Sequence, residues 1–174
     1  KLVDIHVTSL KVEGRMRSLY YLATVIGTYR EIIDCYYSGK LTEDKLKVLE
    51  ERLARVANRE VSTHYLLKEA DASDQYYTGR NEASNQDYLG QVISYDKESK
   101  LVKFYERNYF EVGDMVELFT PKGDRVSFMV DKLYDQDMNE VEVARHPDNI
   151  YYLSLDTDIS IVTYSMIRLL SSRR

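Results

Sequence analysis

Apolar residues change their spacing along this chain, and the changes divide it. Ile5, Val7, Leu10 and Val12 form an apolar run that predicts a buried strand. The run halts at a charged, glycine-broken turn, Glu13-Gly14-Arg15. From about Met16 to Ser38 the period becomes helical, with Leu19, Ala23, Ile26, Tyr29, Ile33 and Tyr37 recurring at three- and four-residue steps. Leu22, Val25 and Ile32 widen that stripe, so the helix is expected to be buried on more than one side. Ser18 is positioned to cap its start and Gly39 to end it. Thr42-Glu43-Asp44 opens a second helix with a capping hydroxyl and two acids in its first turn, where the helix dipole favours them. Its stripe of Leu46, Leu49, Leu53 and Val56 is narrower, as on a surface helix. A short third helical piece is expected near Val61 to Leu67.

Between Lys68 and Asp87 the periodicity fails, and Ala, Asp, Ser, Asn and Gln dominate, as in a linker. After Tyr88 short strands and turns take over. Val126, Phe128 and Val130 alternate with Ser127 and Met129, and Thr120-Pro121-Lys122-Gly123-Asp124 is a strong turn. Strands are expected around Leu89–Ile93, Leu101–Tyr105, Met115–Phe119, Val126–Val130, Val141–Ala144, Ile150–Leu155 and Ile159–Met166. Short strands at about ten-residue spacing suggest a small closed β-barrel. The expected fold class is α+β: a strand and helices, then a small C-terminal antiparallel β-barrel. A lone strand has no partner with which to build a sheet. Residues 1–70 therefore read as the C-terminal piece of a larger α/β protein, followed by a linker at 71–87, a barrel at 88–168 and a tail at 169–174.

Composition narrows the classes. The chain has 174 residues, 44% of them hydrophobic, enough for one or two small cores. No apolar run approaches the roughly 18 residues of a membrane span, so no membrane partner is expected. A single cysteine makes no internal disulfide and no cysteine metal site, so a reducing cytoplasm is the expected compartment. The net charge of −5 is uneven: residues 1–70 carry twelve basic against ten acidic groups, the remainder twelve against nineteen. That balance argues against a chain that coats nucleic acid over its whole surface, while leaving room for a local basic patch. There are 16 tyrosines and no tryptophan. Tyrosine stacks on bases and fills interfaces, and it is equally a good strand residue.

Candidate chemistry follows from placement. In α/β sheets and barrels, ligands sit beyond the C-terminal ends of strands, where the Glu13-Gly14-Arg15 turn lies. Guanidinium groups bind carboxylate or phosphate bidentately, and a glutamate can orient them. Arg15 and Arg17 suit a dicarboxylate or an RNA phosphate, and an ion pair closing a βα turn fits the same residues. Gly14 allows a tight turn or a close ligand approach. Cys35 has no local base to activate it. His6, His64 and His146 show no ligand spacing, and neither zinc-protease nor serine-elbow motifs occur. Asp135-x-Asp137-x-Asn139 mimics a calcium loop, but Glu140 and His146 occupy its glycine and glutamate positions, which favours a plain turn. Lys97, Lys100, Lys103, Arg107, Lys122 and Arg125 fall in the first half of the barrel. Lys100, Lys103, Arg107 and Lys122 are candidate RNA contacts, or else part of a solvated rim.

Lys11-Val12-Glu13-Gly14-Arg15-Met16-Arg17-Ser18, with Tyr20-Tyr21-Leu22-Ala23-Thr24-Val25 and Tyr29-Arg30-Glu31 behind it, resembles the signature of the collagenase-like peptidase family (family U-thirty-two). Asn108-Tyr109-Phe110-Glu111-Val112-Gly113-Asp114, Phe119-Thr120-Pro121-Lys122-Gly123 and Val143-Ala144-Arg145-His146-Pro147 resemble that family's C-terminal β-barrel lid domain. The resemblance covers about residues 1–168. It implies that residues 1–70 end a TIM-like barrel whose remainder, the missing N-terminal catalytic domain, is the chain's first partner. The nearest subgroup hydroxylates the wobble uridine of tRNA with prephenate as co-substrate and, in some members, an iron–sulfur cluster. The family's cluster cysteines lie upstream of the Glu13-Gly14-Arg15 turn, and Cys35 matches none of them, so no cofactor or metal is expected in this chain. On this reading Glu13 and Arg15 are catalytic, Lys11, Gly14 and Arg17 bind substrate, and tRNA is a partner. The chain alone is expected to be inactive, because a site missing most of its walls cannot orient a reaction. Two other functions remain open: a collagenase-like protease, and an acidic module that docks a protein.

Overall fold

The computed structural model describes residues 2–56, 64–66, 68–69, 71–72 and 87–172. The chain divides into two compact units, Lys1–Asn85 and Gln86–Arg174.

In the first unit the expected opening strand is replaced by turns at residues 2–6 and irregular backbone to Gly14. His6 N–H donates to the Val3 carbonyl (3.0 Å) and Val7 N–H to Leu2 (3.2 Å), so local turns take up bonds a sheet would have made. Ile5, Val7 and Leu10 are exposed. The physical reason is that no strand lies beside it among the described residues: an extended segment with no adjacent strand gains no ladder hydrogen bonds and buries nothing.

Helix α1 spans Leu19–Tyr37. The Ser18 hydroxyl caps it by accepting from Tyr21 N–H at 3.1 Å, and Gly39 ends it in the left-handed region (φ 69°). Helix α2, Glu43–Val56, starts as expected, with the Thr42 hydroxyl accepting from Lys45 N–H at 3.2 Å. Leu49 and Val56 of its stripe are buried. The two helices are tied by Glu31, whose carboxylate meets Lys45 Nζ at 2.5 Å and Arg52 Nη1 at 2.6 Å. The Tyr36 hydroxyl donates to Asp4 Oδ1 at 2.5 Å, fastening the opening turn to the end of α1.

The buried face of α1 corrects the periodicity argument. It is Tyr20, Thr24, Val25 and Thr28, not the Leu19–Tyr37 stripe. Leu19, Ile26, Tyr29 and Tyr37 are exposed, at 64%, 54%, 40% and 74%. The apolar stripe is real, but among the described residues its broadest side is left exposed. Of the expected third helical piece, His64–Leu66 forms a single 3-10 turn. The rest of that piece, and most of the expected linker, lie outside the described residues.

The second unit is antiparallel throughout. Its strands are β1 (Tyr88–Asp96), β2 (Leu101–Glu106), β3 (Phe110–Glu111), β4 (Met115–Phe119), β5 (Arg125–Met129), β6 (Leu133–Tyr134), β7 (Glu140–Val141), β8 (Val143–Ala144), β9 (Ile150–Ser154) and β10 (Met166–Ser171). Eight of them form one curled sheet in the order β5-β4-β10-β1-β2-β9-β6-β7, and β3 pairs with β8. The expected closed barrel is therefore an open half-barrel with β5 and β7 as edges. Strands of two residues, such as β6 and β7, have too few ladder bonds to extend pairing round to β5. The last strand also lies later than expected. Ile159 and Ile161 pack against the core from a loop, and Met166–Ser171 pairs with β1 and β4, running into the stretch expected as tail.

Period-two alternation explains the core. Val102, Phe104, Val116, Leu118, Leu133, Leu153 and Ile167 point inward and are fully buried. Phe104 stacks near Tyr151 and tilts against Phe110, with centroids 6.3 and 5.8 Å away. Gly90 lets β1 and β2 close up: a Cβ there would lie 2.6 Å from the Phe104 ring and 2.7 Å from the Tyr105 carbonyl.

Candidate functional site

The charged turn stands immediately before α1. Glu13 Oε1 accepts the backbone N–H of Arg15 at 3.0 Å, and the Gly14 carbonyl accepts Arg17 N–H at 2.9 Å. The Glu13 carboxylate therefore shapes the loop backbone rather than clamping a guanidinium. A Cβ at Gly14 would sit 2.1 Å from Leu22 Cδ2, so a larger residue there would force the Leu22 side chain to move. The Arg17 guanidinium lies over the Tyr21 ring, 5.2 Å from its centroid. Lys11, Glu13 and Arg15 are exposed, and Gly14 and Arg17 half-buried. The result is a hydrogen-bonded turn that leaves Arg15 exposed just ahead of the positive end of a helix, an arrangement suited to holding carboxylate or phosphate.

The four β-unit cations do not form one cluster. Lys100 and Arg107 flank β2 at opposite ends, roughly 20 Å apart at about 3.3 Å per residue. Lys100 Nζ meets Asp156 at 2.5 Å, and this contact raises its pKa above the ordinary lysine value. Arg107 is ion-paired with Asp148. Lys103 lies on the Tyr152 ring, 5.6 Å from the centroid. Lys122 is exposed in the turn between β4 and β5.

Three features escaped the sequence argument. Glu106 is fully buried on the inward face of β2, and neither carboxylate oxygen has a hydrogen-bond partner. Burial first, and then the nearby Asp148 charge, push its pKa up to about 6. Its signal was present in the alternation, since Val102, Phe104 and Glu106 share one face. The second is a buried ion pair between Arg168 of β10 and Glu117 of β4, with the guanidinium over Phe119. The third is that Tyr105, Tyr134 and Tyr152 share the outer face of the half-barrel.

Metal chemistry has no anchor among the described residues, where no group of three His, Cys, Asp or Glu side chains converges. Cys35 is free and half-buried on α1, and one thiolate does not hold an iron–sulfur cluster. The residues present do not fit that group. In the calcium-like stretch, Asp135 Oδ1 accepts N–H of Asp137 and Asn139, both at 2.9 Å, so its carboxylate is spent on the β6–β7 turn. No helix among the described residues is long and apolar enough to cross a membrane.

A helical unit headed by an arginine-bearing turn, joined to an open antiparallel half-barrel, is the class of architecture on view. Residues 1–76 match the family model described as Peptidase family U32, and residues 84–168 match the Peptidase family U32 C-terminal domain. The chain belongs to peptidase family U32. It is 33% identical over 159 residues to tRNA hydroxylation protein P1 of Bacillus subtilis, covering 91% of this chain and 38% of that protein. It is 28% identical to tRNA hydroxylation protein P of Haemophilus influenzae, over 92% of this chain and 34% of that protein. A collagenase of Porphyromonas gingivalis is 29% identical over 70% of this chain and 34% of its own length. The chain thus spans little more than a third of the curated relatives it matches.

Proposed function

We propose that this chain is the C-terminal part of a protein that hydroxylates the wobble uridine of tRNA in the cytoplasm with prephenate as co-substrate. Its first unit completes a TIM-like catalytic domain. The carrying observation is the exposed apolar stripe of α1 directly behind the charged turn. Leu19, Ile26, Tyr29 and Tyr37 are exposed along it, and further barrel chain would bury them. Arg15 then points into a composite pocket, where it anchors a carboxylate of prephenate or an RNA phosphate. Glu13 holds the turn, Arg17 and Lys11 add positive charge, and Gly14 permits close approach. The half-barrel serves as a lid or RNA-holding accessory.

The tRNA hydroxylation proteins match over nine-tenths of this chain and the collagenase over 70% of it, which favours tRNA modification over proteolysis. Among the described residues no group of three His, Cys, Asp or Glu side chains could hold a metal ion for peptide hydrolysis. The test is mass-spectrometric analysis of wobble nucleosides in a strain lacking the full-length gene. Loss of hydroxylated uridine supports the assignment, and an unchanged level rejects it.

A further inference from the structure

On the outer face of the half-barrel, cross-strand register lines up Lys103 of β2, Tyr152 of β9 and Tyr134 of β6. Tyr105 lies one pleat step along β2, paired with Ile150. The inward neighbours Val102, Phe104, Leu133 and Leu153 are fully buried, so these side chains belong to the opposite, outer face. Lys132 precedes Leu133 and falls on that same face. Its carbonyl accepts Ser154 N–H at 3.2 Å, which places it beside β9. Tyr105 is 41% exposed, Tyr134, Tyr152 and Lys103 are half-buried, and Lys132 is exposed.

The charges separate this face from its surroundings. Lys100 and Arg107, at the two ends of β2, are each neutralised by an aspartate. Among the described residues, Lys103 and Lys132 form no ion pair, and Lys103 instead lies on the Tyr152 ring. Glu140, opposite Tyr134 at the sheet edge, is the one acid in this register row. In a strongly acidic half-chain, the three rings therefore carry a local positive excess. Flat rings at strand spacing with cations between them are what unstacked bases on a phosphate chain require.

We infer that the outer face of β2, β9 and β6, bearing Tyr105, Tyr152, Tyr134, Lys103 and Lys132, binds single-stranded RNA by stacking bases on its tyrosines. Loop nucleotides of a tRNA are the fitting ligand, and this inference rests on the tRNA reading above. A duplex hides its base faces and gains only the charge contribution, so the face discriminates loop from duplex.

The experiment uses the whole 174-residue chain and a fluorescein-labelled anticodon stem–loop with unmodified wobble uridine. A blunt RNA duplex of equal length is the control, and anisotropy is read across a salt series. The stem–loop binds more tightly than the duplex. The Tyr105→Ala/Tyr152→Ala chain, which loses two stacking platforms, binds it at least about thirtyfold more weakly. Tyr105→Phe/Tyr152→Phe keeps wild-type affinity and guards against misfolding, because phenylalanine retains the stacking surface. Lys103→Ala/Lys132→Ala lowers the slope of log affinity against log salt by about 1.4. Equal binding of loop and duplex, full affinity in the double-alanine chain, or no RNA binding at all each overturns the inference. Those failures leave the tRNA reading standing if wobble hydroxylation still depends on the full-length gene; loss of that dependence is what rejects the reading itself.

Discussion

Glu106→Gln is the most informative single substitution. The Glu106 side chain is fully buried with both oxygens unpaired, and its carboxyl is raised from 4.5 to about 6. Because its folded pKa exceeds its unfolded one, the folded chain holds this proton more tightly. The Glu106 contribution is most favourable below pH 4.5, falls as pH rises towards 6, and carries its full penalty above that. A shift of 1.5 units corresponds to about 2 kcal/mol, at 1.36 kcal/mol per unit. Glutamine keeps the shape and never ionises, so it removes the pH-dependent part. Urea denaturation followed by circular dichroism, at pH 4 and pH 8, compares the two proteins. The variant is expected to gain about 2 kcal/mol relative to wild type on going from the acid to the alkaline condition. A difference between the two proteins that is the same at both pH values refutes the argument. In that case water or a cation satisfies the carboxylate, or it is not buried in solution.

Other substitutions probe separate links. Gly90→Ala puts a Cβ against the Phe104 ring and the Tyr105 backbone carbonyl, and is expected to lower stability by about 1–3 kcal/mol in a thermal melt. Gly14→Ala meets only the end of the Leu22 side chain, so Leu22→Ala in the same protein is expected to recover part of its loss. Glu117→Leu alone leaves the buried Arg168 charge unpaired and should cost about 3–5 kcal/mol, whereas Glu117→Leu/Arg168→Met should recover most of it. Ser18→Ala removes the cap of α1 and should reduce stability by about 0.5–2 kcal/mol, read by chemical denaturation.

How much of this was legible depends on whether the cause was local. Ser18, Gly39 and Thr42 act within a turn of their own position, so the helix starts and the stop of α1 could be read from residue type. The long alternating strands were equally plain, since Val102 and Phe104 need only a core on one side. The opening strand failed because a strand depends on its neighbour, and none is among the described residues. The buried side of α1 failed for a related reason. A helix with apolar residues on several sides does not disclose which side this chain covers and which is left for something else. β3, β6 and β7 are two-residue pairings, too short for any periodicity. At the candidate site, residue type pointed to Glu13 and Arg15, but not to Glu13 engaging the backbone of the turn. The tyrosine face needed register: Tyr105, Tyr134 and Tyr152 are scattered along the chain, and strand order alone makes them neighbours.

The most direct test of the central claim is the hydroxylated wobble uridine content of tRNA from a deletion strain complemented with the full-length gene, wild type or Arg15→Ala. If Arg15 is one wall of a composite pocket, the wild-type gene restores the modification. The Arg15→Ala gene, expressed at equal level, leaves it at the deletion background. Full restoration by Arg15→Ala would mean that the charged turn is structural and that the pocket lies elsewhere.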